Sequence, residues 1–471
     1  MASPARSIIR VLLTAALTAG FVLQPVAAAA QEGLSLIRDT EIEEILHHDA
    51  DPIFAVSGFN PKDVQIILIG SKEIQAFAGP KVMAVYTGLI LESKNPNELQ
   101  GVMGHEIGHL AGGHSARSAD MTRAGMVPMI LTMGLGVLAA MAGAGDAAGG
   151  LLVSAPYFGA IGKAGYSREQ ESRADQAGAT LLDKAGISAN GLAEFFNNFR
   201  YQEVFSEYRR YKYFIDHPLS SDRIDALQSR VKTLPNFNKK DTPEAQAEHD
   251  IMKAKLDGFI NPQVAIVKYA ETDKAYPARY ARAIAYYQLK EPDKALKLVE
   301  ALIADHPDNP YLWELKGQIL FEFGRQAEAE APQRKSVALK PEAPLLRINL
   351  GQTLIALDEK AKIQEGIGEL RKALLQDQEN AVAWRLLAEA YDRSGNDGLA
   401  RLATAEYNYN VGDVTQARVF AMRARELLNK DTPEWRRATD IVLVSKPSRD
   451  DLRDLSRDGS TGGSTGGGQL H

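Results

Sequence analysis

Glu98-Leu-Gln-Gly-Val-Met-Gly-His105-Glu106-Ile-Gly-His109 places two histidines four residues apart, with a glutamate directly after the first. Leu99, Val102, Met103 and Leu110 recur at helical spacing, and Asn95-Pro96-Asn97 ahead of them predicts a helix start. On a helix, residues four apart share a face, so both imidazoles reach one ion. Glu106 then stands beside that ion rather than on it, placed to take a proton from water. Alone, such a pattern also arises by accident, as two surface histidines on an amphipathic helix.

A catalytic zinc needs a third protein ligand and an open fourth position. A histidine six residues beyond His109 would complete one known arrangement, but position 115 is Ser and His114 comes one residue early. The other route takes a carboxylate from a later helix. Glu171-Ser-Arg-Ala-Asp175 puts two acids on one helical face, the first as ligand and the second to receive a ring N–H from a ligand histidine. Glu169 is the competing ligand, about 200° around the helix from Glu171. By itself such a run of acids is a solvated charged face.

Composition narrows the chemistry further. The chain has 471 residues, long enough for two or three domains, with 54 basic against 60 acidic residues. A net charge of -6 argues against a nucleic-acid binder. Cysteine is absent, which removes thiol catalysis, disulfides and thiolate metal sites. Any metal must therefore sit on carboxylates and on some of only 9 histidines.

Residues 1–30 predict an export signal rather than fold. Arg6 and Arg10 precede the apolar run Val11–Leu23, and Ala28-Ala29-Ala30 ends in an A-x-A-like cleavage site. From 31 to 260 helical and strand patterns mix. Val64–Ile69 and Val82–Val85 read as strands, and the strand near Val82–Tyr86 is a candidate to hold substrate by main-chain pairing. Ala124–Gly145 carries no charge and is long enough to span a bilayer, but a single crossing would separate the two histidines from Glu171. The stretch 124–162 is therefore expected to be a mobile apolar hairpin that covers the cleft or touches the membrane surface.

Beyond Pro262 the chain repeats. Ala283, Gly317 and Gly351 are 34 residues apart, as are Ala295 and Ala329, and Pro307 and Pro341. This is the tetratricopeptide period, with Trp313 four residues before Gly317; a fourth copy holds Trp384, Ala388, Tyr391 and Ala400. Repeats are expected over 261–430, with Asp413–Leu428 helical, and a flexible tail over 431–471.

Taken together the motifs resemble the zinc metallopeptidases of the HtpX and CAAX-prenyl-protease type. Gln75-Ala-Phe-Ala, Thr87-Gly-Leu, the stretch 98–109, Glu171-Ser-Arg-Ala-Asp175 and His217-Pro-Leu-Ser-Ser-Asp-Arg223 stand in that family's order. A signal peptide ahead and repeats behind resemble its BepA-like periplasmic branch. Gln75 stands where the family pattern has Asn, and the third repeat is weak. The resemblance implies a mainly α chain: an α+β zincin-like metalloprotease domain with a small sheet, then an α-solenoid of repeats. It implies one Zn2+ per chain on His105, His109 and Glu171, with Glu106 as base and Asp175 behind the ligands. His217 is then a transition-state donor or a fourth ligand that closes the resting site. Arg223 steadies either the oxyanion or the acidic helix. The implied activity is a periplasmic endopeptidase for unfolded or outer-membrane proteins, with the repeats recruiting clients or the outer-membrane assembly machinery. A chaperone or repeat scaffold with a silent zinc site is the alternative.

Overall fold

The computed structural model describes residues 35–112, 168–200, 217, 219–446 and 449. The export segment expected over 1–30, the apolar stretch 124–162, His114 and the end of the tail lie outside the described residues.

Two apolar strands form the centre of a four-stranded sheet. β2 (Gln65–Gly70) and β4 (Val82–Tyr86) pair in parallel, with β1 (Ser35–Ile37) antiparallel on β2 and β3 (Ala76–Gly79) antiparallel on β4. The order is β1-β2-β4-β3. Ile66–Ile69 and Met83–Tyr86 are buried along their whole length, as central strands covered on both faces are. β4, expected to hold substrate, is paired on both sides and has no edge to offer. The outer edge on that side of the sheet belongs to β3.

Helix α1 (Thr40–Ser57) starts where Asp39 accepts from the Ile42 amide and stops at Gly58, whose φ of 90° suits glycine. After α2 (Thr87–Glu92) comes α3 (Pro96–Ala111), which carries the two histidines. Its start is doubly capped: Asn95 accepts from the Glu98 amide at 2.8 Å, and the Glu98 carboxylate accepts from the Lys94 amide at 2.8 Å. Next along the chain are helices α4 (Arg168–Lys184), α5 (Asn190–Asn198), α6 (Ser221–Val231), α7 (Pro243–Ile260) and α8 (Pro262–Lys268).

Glycines let α3 and its neighbours touch at backbone level. A Cβ on Gly108 would lie 2.6 Å from the Ala174 carbonyl oxygen, and one on Gly178 would lie 2.7 Å from that of Gly104. Gly101 meets the Leu192 amide nitrogen in the same way, at 2.5 Å. Thus α3 packs directly on α4 and on the start of α5, within a core that runs from Ile42 to Leu256.

The repeat region is a series of antiparallel helix pairs. α9 (Tyr276–Gln288), α11 (Pro310–Glu322) and α13 (Pro344–Ala356) start 34 residues apart. Their partners are α10 (Pro292–Asp305), α12 (Gln326–Leu339) and α14 (Lys360–Leu374). α15 (Ala381–Arg393) with α16 (Asp397–Asn410), and α17 (Val414–Leu427) with α18 (Pro433–Val444), complete the series. One device recurs at the start of three repeats. Trp313 Nε1 donates to the Pro307 carbonyl at 2.8 Å, and Trp384 Nε1 to that of Gln378 at 2.8 Å. Arg347 Nε makes the same bond to Pro341 at 2.7 Å, so the weak third repeat keeps the contact without the tryptophan.

α18 corrects the expected tail. Thr432 caps it, Pro433 takes its first turn, and Trp435, Ala438, Ile441 and Val442 are buried, the last three in one apolar cluster with α16 and α17. Their i, i+3, i+6, i+7 spacing is a helical face.

The first described residues are bonded to α7 and to the repeats. Lys255 Nζ donates to Asp39 at 2.8 Å and Glu41 at 2.9 Å, and the Tyr280 hydroxyl donates to Glu41 at 2.9 Å. Glu44 accepts from the Tyr311 hydroxyl and, at 2.9 Å, from Lys340 Nζ. Arg38 Nη1 reaches Asp377 at 3.1 Å.

If the α3–α4 contact is as tight as described, Gly108→Ala costs about 1–3 kcal/mol in urea unfolding. Gly368→Ala, on α14 with nothing within 4 Å of a new Cβ, should be neutral or slightly stabilising. Equal effects at the two sites would refute the packing argument.

Candidate metal centre

α3 and α4 supply His105, His109 and Glu171, and His217 lies just ahead of α6. One ligand atom from each lies within 4.8 Å of all the others, and all four residues are buried. His105 Nε2 and His109 Nε2 are 3.0 Å apart. Glu171 Oε1 is 3.2 Å from His109 Nε2 and 3.1 Å from His217 Nδ1, and His217 Nδ1 is 3.4 Å from His105 Nε2. At that distance the two ring nitrogens either share one proton in a hydrogen bond or turn their lone pairs to a common cation. Three imidazole nitrogens and one carboxylate are the donor set that zinc takes, so these residues fit a metal ion.

A second layer holds the first. His105 Nδ1 is 2.9 Å from Asp175 Oδ1, which fixes the ring so that Nε2 faces inward. Arg223 forks onto Asp175 through Nε at 2.6 Å and Nη2 at 2.8 Å, while Nη1 reaches Glu171 Oε2 at 2.7 Å. Its guanidinium is thus turned to the acidic helix. Glu169 lies on the surface, 75% exposed and paired with Arg173, whereas the Glu171 side chain is fully buried. Glu106 is buried, with Oε1 3.6 Å from His217 Nε2.

Burial disfavours the charged His105 ring, but bonds to Asp175 and Glu171 outweigh it and lift its pKa to about 9. His109, desolvated and beside two other imidazoles, drops to about 3. Glu171 and Asp175 lose solvent too, yet histidine bonds hold the first well below the usual carboxylate range, and Arg223 with His105 lowers the second. The cluster therefore keeps its carboxylates charged and draws a positive charge into its centre. A metal ion bound there would displace the proton on His105.

Phe196 completes the arrangement, and sequence reasoning did not find it. Its ring meets His105 edge-on at 5.6 Å and lies 5.0 Å beneath the Arg223 guanidinium, closing the apolar side of the network.

Comparisons with known proteins agree with this geometry. Residues 37–231 match the model of peptidase family M48, and residues 280–344 match a tetratricopeptide repeat. The chain is 27% identical over 406 residues to a Vibrio cholerae protein provisionally named beta-barrel assembly-enhancing protease, covering 83% of this chain and 81% of that one. The beta-barrel assembly-enhancing protease of Escherichia coli K12 is 26% identical, covering 74% of this chain and 72% of the relative. Metalloprotease LoiP of the same strain is 32% identical over 182 residues, covering 37% and 66%.

Removing one member of the buried ionic layer strands the others. Asp175→Ala should cost about 3–5 kcal/mol in urea unfolding, and Asp175→Asn clearly less, because Asn keeps an acceptor for Arg223. A loss below 1 kcal/mol for Asp175→Ala would mean the network does not hold the site together.

Proposed function

We propose that this chain, a metalloprotease with a peptidase family M48 domain and tetratricopeptide repeats behind it, is a periplasmic zinc endopeptidase acting on misfolded or stalled outer-membrane proteins. The repeats recruit those clients or the machinery that assembles them. The observation that carries the proteolytic reading is the buried cluster of His105, His109, Glu171 and His217 with Glu106 beside it. The names of the relatives and the export signal read in the sequence support the choice of client and compartment.

His105, His109 and Glu171 hold the ion, and zinc bound there supplies Lewis acidity toward a carbonyl oxygen and an acidified water. Every other task falls to the chain's own residues. Glu106 takes the proton of the attacking water on its carboxylate and returns it to the leaving amine. Asp175 and Arg223 act as positioning residues, keeping His105 and Glu171 in register. An extended substrate pairs with the outer edge of β3, the strand beside α3. His217 occupies the fourth place at rest, as its Nδ1 within 3.4 Å of His105 Nε2 and 3.1 Å of Glu171 suggests.

Glu106→Gln should keep one zinc per chain and lose casein hydrolysis by roughly 10²–10⁴-fold. If Glu106→Gln still restores a deficient strain as well as the native protein does, the chain is a scaffold rather than a protease. His105→Ala, His109→Ala and Glu171→Ala should each lose zinc, and Glu169→Ala should retain it. Because His217 at rest blocks the place a substrate needs, His217→Ala should cleave casein faster at equal zinc loading. A drop of about 10²-fold would instead make His217 a transition-state donor.

A further inference from the structure

A cavity of about 570 Å³ lies between the peptidase region and the repeats, in the size range of ligand sites. One wall is the segment from Ile37 to Ile42 with Leu256, Phe259 and Ile260 of α7; the other comes from α11, α12, α13 and α15. The repeats alone do not make it.

The repeat wall is rich in side-chain amides: Gln318, Gln333, Asn349 and Gln352. Each carries a donor and an acceptor, the same pair that a peptide unit presents. Gln333 is 1% exposed, and its Oε1 has no hydrogen-bond partner. A buried acceptor left so costs free energy until a donor arrives. Phe259 and Ile348 offer apolar contact beside it.

Charge sets the rest of the chemistry. Asp39, Glu314 and Glu322 line the cavity against one base, Arg38, which is already bonded to Glu43 and Asp377. Asp39 is matched by Lys255. Glu314 accepts from Asn349 Nδ2 at 2.9 Å; loss of solvent, with Asp39 and Glu41 near, outweighs the pull of Lys255 and pushes its carboxyl up to about 8. A further cation beside it would favour its charged form.

We infer that this cavity binds a short extended peptide segment carrying a lysine or arginine, whose main-chain N–H meets Gln333 and whose cation meets Glu314. Calling that segment part of a client rests on the proteolytic reading; the binding itself does not.

Full-length Glu106→Gln protein, which keeps the probe intact, is titrated by fluorescence anisotropy with labelled acetyl-Val-Lys-Val-Lys-Val-amide. Saturable binding is expected, at least tenfold weaker with Glu314→Gln or Gln352→Ala added, and at least tenfold weaker for the same peptide with Glu in place of Lys. Gln333→Leu should show the same loss with an unchanged melting temperature; the half-buried Gln352 keeps the test decisive if that variant unfolds. Affinity unaltered by every cavity substitution, a preference for the acidic peptide, or no saturable binding overturns the inference. Peptide bound by a wild-type protein that hydrolyses no client would sink the proteolytic reading and leave this site standing.

Discussion

Two helices approach so closely that a carbonyl oxygen of one lies where a side chain of the other would begin. Gly104 and Gly108 on α3 and Gly178 on α4 permit that approach, and the metal centre depends on it. His105 and His109 come directly after the first two glycines, and Glu171 and Asp175 lie on the facing helix. A wider separation would leave two half-sites. Overpacking penalties of about 1–3 kcal/mol per added methyl are large against a net stability of about 5–15 kcal/mol, so these positions admit little variation.

The close helix contact gathers a buried set of charges that is costly unless complete. Arg223, Asp175, Glu171 and three histidines share a space from which water is largely excluded. Each member is satisfied by the others, and Phe196 seals one side. Such a network adds little net stability, but it fixes rotamers, and fixed rotamers are what a metal site requires. His217 differs in origin from the other members of the cluster: it precedes α6 rather than sitting within a helix.

The sequence was most legible where chemistry has a fixed spacing. Two histidines four apart, two acids four apart and a 34-residue period each have one simple structural solution, and α3, α4 and the paired helices adopt it. Glu171 and Glu169 could be ranked from sequence only by the helical face shared with Asp175; burial separates them outright. Less legible were features that depend on residues distant in the chain. β3 and β4 look alike as short apolar runs, and only the sheet order shows which one keeps an edge. Arg223 had two open roles in the sequence, and its fork onto Asp175 and Glu171 is a contact that no spacing in the sequence reveals. Phe196 is chemically silent in sequence, because an aromatic side chain in a helix is ordinarily core. The short α18 was absorbed into an expected tail because a polar, glycine-rich end lies close behind it.

Zinc K-edge X-ray absorption on the purified full-length protein tests the central claim most directly. The account predicts four nitrogen or oxygen neighbours at about 2.0–2.1 Å, with the outer-shell scattering of three imidazoles. Six oxygen neighbours without imidazole scattering, or no zinc at all, would contradict it.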